Sequence, residues 1–170
     1  MSSLCTGIPA NLLLEAILKE QVTHVVTVPD THQKTLLNLI SSNTELSLIQ
    51  VCTEDEAIAV AAGLYIANKR PMLLIQNAGF YACLNSVRGL ALDARIPICM
   101  LIGEYLRNPE LSSKEDPSRV VHLLEPTLES WKIPFWRLDS SDDIGNFAKA
   151  FRHSWENSIP TAALIGAPTV

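Results

Sequence analysis

The stretch Cys52-Thr53-Glu54-Asp55-Glu56-Ala57-Ile58-Ala59-Val60-Ala61-Ala62-Gly63 decides the fold. The apolar run 48–52 stops at its start, and an alanine-rich helical pattern begins. Thr53 is a good N-cap and Glu56 stands three residues later, the spacing of a capping box. Glu54 then falls in the first helical turn, just beyond the end of a predicted strand. In an open parallel α/β sheet, ligands bind outside the carboxyl ends of the strands. A first-turn acid also complements the helix dipole, and both readings stay open at this point. The small residues Ala57, Ala61 and Gly63 let the helix approach a neighbour closely.

Outward from this unit, strands and helices alternate. Helices are predicted over 9–20, 32–42 (with Thr31 as its cap), 54–68, 80–93, 122–131 and 142–157. Strands are predicted over 24–28, 46–52, 72–76, 97–102, 134–138 and 161–166. Asn77-Ala78-Gly79 reads as a loop. Residues 105–119 are polar, with Pro109 and Pro117, and read as a long loop of the kind that is often functional. The alternation gives an α/β fold: a doubly wound, mostly parallel sheet of six strands with helices on both faces. Four strand ends, Pro29-Asp30, Thr53-Glu54, Gln76-Asn77-Ala78-Gly79 and Gly103-Glu104, should share one rim, which is the predicted site.

The chain has 170 residues, 48% hydrophobic and 18% charged, the size of one domain with a real core. A net charge of -5 gives no electrostatic footprint for nucleic acid. No apolar run approaches the roughly 18 residues of a membrane span, and the start of the chain lacks the basic region and apolar core of a signal peptide. The cysteines Cys5, Cys52, Cys83 and Cys99 form no C-x-x-C pair; three lie in apolar runs and read as reduced core residues of a cytoplasmic protein. Dinucleotide, P-loop and nucleophile-elbow signatures are absent. The histidines His24, His32, His122 and His153 are not spaced as a metal cluster. His24 reads as structural, His153 as a surface residue, and His32 as a candidate for the rim.

At this point the residues carry a resemblance. Glu54 followed by Ala57, Ala61 and Gly63 resembles the helix start of thiamine diphosphate enzymes, in the domain that grips the aminopyrimidine ring. Val28-Pro29-Asp30-Thr31 with Lys34, and Gln76-Asn77-Ala78-Gly79 with Asn85, resemble segments of the sulfopyruvate and phosphonopyruvate decarboxylases. Leu101-Ile102-Gly103 and Lys114-Glu115-Asp116-Pro117 continue the likeness at similar spacing, so that it runs along nearly the whole chain.

The resemblance implies a chemistry. In such enzymes a glutamate hydrogen-bonds the N1′ nitrogen of the aminopyrimidine and so activates the cofactor for attack on a 2-oxo acid, from which CO2 leaves. It implies Glu54 as the catalytic group and Pro29, Gln76, Asn77, Gly79 and Asn85 at the cofactor. It implies Asp30, Thr31, His32, Lys34, Asn77 and Arg107 as candidates for the substrate. The chain has no Gly-Asp-Gly motif for diphosphate and Mg²⁺. The expectation is a single pyrimidine-binding domain, the alpha subunit of a split decarboxylase, with Mg²⁺ and diphosphate held by a beta subunit. An apolar interface is then expected on the helices flanking Glu54 and on 80–93. The family's small residues after Gly79 are replaced here by Phe80-Tyr81, and its Arg-Gly pair after Gly103 by Glu104-Tyr105. A thiamine-dependent carboligase subunit and a non-catalytic partner-binding paralogue are the alternatives.

Overall fold

Apolar and β-branched runs supply six strands: β1 (His24–Thr27), β2 (Ser47–Gln50), β3 (Pro71–Gln76), β4 (Cys99–Gly103), β5 (Phe135–Leu138) and β6 (Thr161–Ile165). In the computed structural model, which describes residues 7–170, they form one sheet in the order β2-β1-β3-β4-β6-β5. Every pairing is parallel. Strands covered on both faces need apolar side chains in both directions, and every residue of β4 and β6 is buried.

The two faces are covered by different helices. Val25, Met72, Leu74 and Leu101 pack under α1 (Ala10–Lys19), α2 (Lys34–Ser42) and the last helix, Gly145–Asn157. Val26, Leu73, Ile75 and Met100 pack under α3 (Glu54–Ile66) and the segments between β3 and β4. Each fully buried aliphatic or aromatic side chain contributes on the order of 1.5–3 kcal/mol of transfer free energy.

Connections diverge at β1: its neighbours are β2 on one side and β3 on the other. That divergence opens a crevice at the carboxyl ends of β1 and β3, where ligands bind in open α/β sheets. All four predicted strand ends lie on this rim, because the strands run the same way.

Local structure departs from the sequence expectation in four places. First, Thr53 caps α3 by accepting the Glu56 N–H at 3.3 Å, but the Glu56 carboxylate answers to the N–H of Cys52 at 2.9 Å, one residue before the cap. Second, Thr31 caps nothing; Gln33 stands at the N-cap of α2 with no side-chain cap. The Asp30 carboxylate takes the His32 N–H at 2.9 Å and sets that turn instead. Third, Asn77-Ala78-Gly79 is not a loop: α4 (Asn77–Ala82) begins there directly from β3, and the expected helix 80–93 is broken into α4, α5 (Leu84–Ser86) and a π-helix, Val87–Asp93. Fourth, residues 122–131 divide into α6 (Arg119–His122) and α7 (Leu124–Ser130). The last helix, α8 (Gly145–Asn157), follows a 3₁₀ turn whose capping box joins Ser140 and Asp143.

Residues 105–118 form the expected loop, but it is tied down. Buried Asp116 accepts the N–H groups of Asn108 and Ser118, both at 2.8 Å, and His122 Nδ1–H donates to Lys114 O at 2.9 Å. Among the described residues the cysteines are free thiols. Cys83 and Cys99 are core residues whose thiols burial pushes up to about 12. Cys52 is exposed, against expectation, because it falls after the end of β2 in the turn before α3. Cys5 lies outside the described residues. No described helix is long and apolar enough to cross a membrane.

Candidate active site

Glu54 is half-buried at the first position of α3, where three acids meet the positive end of the helix dipole. Its carboxylate lies against Gly79: a Cβ added to that glycine would overlap the Glu54 carboxyl group. Two segments singled out in the sequence, 54–63 and 76–79, are thus brought together, and glycine is required by the close approach. Beside them, Ser86 Oγ donates to Asp55 at 3.4 Å and joins α5 to the same turn. Asn85 is exposed there and accepts from Arg88.

A second assembly fills the crevice between β1 and β3. Asp30 is 4% exposed, yet it forms no salt bridge among the described residues. Its carboxylate accepts from His32 N and Gln76 Nε2, each at 2.9 Å, and from Gln33 Nε2 at 3.4 Å. Gly103 leaves room for it, since a Cβ there would come within 2.5 Å of Asp30 Oδ2. The His32 imidazole bridges toward β6, its Nε2–H donating to Ile165 O at 3.2 Å. Burial lowers the His32 pKa from its ordinary value, outweighing the opposing pull of Asp30, Glu104 and nearby carbonyls.

Pro29, Asp30, Thr31 and Lys34 line one groove of about 260 Å³, floored by Leu37 and Leu48. Lys34 is exposed at the first position of α2. Asn77 is placed differently. It is fully buried, donating to Tyr105 O at 3.2 Å and Val120 O at 3.1 Å, and accepting from Ala78 N at 2.9 Å. Its side chain holds the loop after β4 against α4. Arg107 is also engaged: its side chain is 8% exposed, donates to Ser113 at 2.6 Å, and faces Glu104 and Asp139 at 3.5 and 3.6 Å.

The two replacements noted in the sequence have structural roles. Phe80 points into the core and is fully buried, while the Tyr81 hydroxyl donates to Val120 O at 3.1 Å. Glu104 is fully buried and neutralised by Arg137, which also pairs with Glu125 and Asp139. The acid after β4 is therefore no free charge at the rim. Arg137 and Gln33 escaped the sequence reading, and Asp116 entered it only as part of the segment 114–117. Arg137 alone had a signal, as a lone cation inside the apolar strand β5.

The donor set at α3 suits a flat heteroaromatic ring. A carboxyl group at Glu54 can share a proton with a ring nitrogen, and the missing Cβ of Gly79 leaves room for that carboxyl group. Glu54 and Gly79 are the residues here that could hold such a cofactor. Among the described residues, no three His, Cys, Asp or Glu side chains are grouped to hold a metal ion.

Comparison with known proteins places these observations in a family. The profile described as "Thiamine pyrophosphate enzyme, N-terminal TPP binding domain" matches residues 9–111, more than half of the chain. The chain is 29% identical over 154 residues to a protein of Methanococcus maripaludis named sulfopyruvate decarboxylase subunit alpha, covering 90% of this chain and 91% of that one. It is 25% identical over 156 residues to the protein of the same name from Methanocaldococcus jannaschii, with 91% of each covered. It is 26% identical to a sulfopyruvate decarboxylase of Methanosarcina acetivorans, covering 92% of this chain and 40% of that protein.

Proposed function

Because the chain belongs to the thiamine pyrophosphate enzymes, in the family of their N-terminal TPP binding domain, we propose that it is the alpha subunit of a two-chain, thiamine diphosphate-dependent 2-oxo acid decarboxylase acting on sulfopyruvate or phosphonopyruvate. The observation that carries this reading is the Glu54 carboxylate lying on Gly79 at the N-terminus of α3. The alpha-subunit names of two relatives that match it nearly end to end support it.

When bound, thiamine diphosphate supplies the electron sink for loss of CO2. The chain's own residues do the rest. Glu54 holds and shares a proton with the aminopyrimidine ring nitrogen, a contribution of the general acid–base kind, worth about 10²–10⁴-fold. Gly79 makes room for that carboxyl group. Asp30 and His32 line the crevice beside it, held by Gln76 and by the β6 carbonyl. Lys34, at the mouth of the groove, supplies a positive charge for an anionic tail.

The diphosphate and Mg²⁺ are proposed to be held by a beta subunit, so that 1–170 acts as one pyrimidine-binding unit in the cytoplasm. The outer face of α3 supports such a partner. This helix is apolar nearly all round, and a helix of that kind is ordinarily buried on every side. Ala59, Gly63 and Ile66 are nonetheless exposed, Ile66 at 72%. Tyr105 and Leu106 add exposed apolar surface on the rim.

The test is co-expression with the partner chain and assay of CO2 and aldehyde release from sulfopyruvate, phosphonopyruvate and pyruvate. Activity that needs both chains, the cofactor and Mg²⁺ is expected, with the tailed acids preferred. An active complex that ignores the tailed acids would overturn the substrate assignment. A stable complex with no activity would overturn the enzyme reading.

A further inference from the structure

We propose that Gln33 is a positioning residue of this site: its side-chain amide holds the Asp30 carboxylate in one orientation at the crevice between β1 and β3. The inference rests on the reading above only in taking Asp30 to border the substrate.

Asp30 is buried and forms no ion pair among the described residues, so hydrogen-bond donors must satisfy its oxygens. Three N–H donors converge on it, from His32, Gln76 and Gln33. Of the three, the Gln33 donor is the one that reaches Oδ2, the oxygen facing Gly103. Gln33 is itself fully buried, and its Nε2 is fixed by a second bond to Ile75 O at 3.1 Å. Both partners are acceptors, so the amide cannot be turned round.

The cost of this arrangement is visible. Gln33 Oε1 is buried with no hydrogen-bond partner among the described residues. Such orphaned acceptors are rare and call for an explanation. An amide chosen only to fill space would do better as an apolar residue, since both the orphan and the buried polar group would vanish. The donor to Asp30 explains why an amide stands there. The titratable groups around the pair are His32 on the same loop, Lys34 on α2, and Glu104 at the end of β4, which Arg137 neutralises.

The test reads the carboxyl group directly and needs no activity, so it separates this inference from the decarboxylase reading. In the full chain, the Asp30 carboxyl carbon and the Gln33 side-chain amide are followed by NMR at one pH. In Gln33→Met, which removes the donor to Oδ2, the Asp30 carboxyl resonance is expected to move and broaden as the carboxylate turns. Gln33→Glu, which puts an acceptor in the donor's place, should move it as well. An Asp30 resonance unchanged from the wild type in either folded variant would overturn the assignment. With the partner chain, Gln33→Met should lower kcat more than it raises KM.

Discussion

Glu54 and Gly79 illustrate how one missing methyl group can define a site. The α3 N-terminus fixes where the carboxylate begins, and the absent Cβ of Gly79 fixes where it can lie. Gly79→Ala would drive a Cβ into that carboxylate, which must then turn away. The expected outcome is a folded chain with a rate reduced by 10-fold or more in the assembled enzyme; measuring melting temperature and kcat on the same sample checks it. At this scale the sequence was informative about single residues and silent about their pairing. Thr53 and Glu54 could be assigned from local spacing, because a helix start is a local event. The contact of Glu54 with Gly79, and the donor that Gln76 gives to Asp30, join different strands. No spacing rule reports such contacts. Asn77 and Arg107 were singled out for polarity, and the structure shows that their polar atoms serve the loop after β4.

Among the elements, the segment after β4 carries the most electrostatic structure. Arg137 on β5 gathers Glu104, Glu125 and Asp139, and Arg107 closes the group from the loop. Removing one partner of a buried ion pair leaves the other uncompensated, a loss of about 3–5 kcal/mol. Arg137→Met should therefore lower the melting temperature by about 6–20 °C, at about 2–4 °C per kcal/mol for a chain of this size. A double change, Arg137→Met with Glu104→Gln, should recover part of it; calorimetry of the three proteins checks the pattern. The same group sets an acid limit. Burial acts to raise the Asp139 carboxyl, but hydrogen bonds and charge from Arg137, with Arg107 behind, outweigh it and hold the group below the usual carboxylate range. A carboxylate depressed in the folded state stabilises the fold above its unfolded pKa, near 4, and that contribution is lost as pH falls through the folded value. The melting temperature should fall below about pH 4, and Asp139→Asn should flatten part of that slope. The breaks within 77–93 were not readable, because the apolar pattern runs on through Phe80, Cys83, Val87 and Ala91 whatever the local helix type.

For the whole molecule, the strand–helix alternation was enough to give the parallel sheet and the rim where its strand ends meet, since one crossover rule governs every unit. The proposed partner chain would cover α3, whose outer face stays apolar although it is exposed. A Cβ built on Gly63 meets nothing within 4 Å, so this chain does not itself demand glycine there. Close approach of a partner helix would. Gly63→Ala should raise the melting temperature of the isolated chain slightly, by the roughly 0.5–1 kcal/mol that alanine gains over glycine in a helix. Gly63→Arg should weaken the complex while leaving the chain folded, as sedimentation of the mixed subunits would report.

The central claim is that the Glu54 carboxyl group activates the cofactor. The most direct measurement is kcat for decarboxylation by the assembled enzyme at saturating thiamine diphosphate, wild type beside Glu54→Gln, with cofactor and partner binding measured separately. The amide keeps the shape and loses the proton, so kcat should fall by about 10²–10⁴-fold with assembly retained. Equal rates in the two proteins would contradict the account.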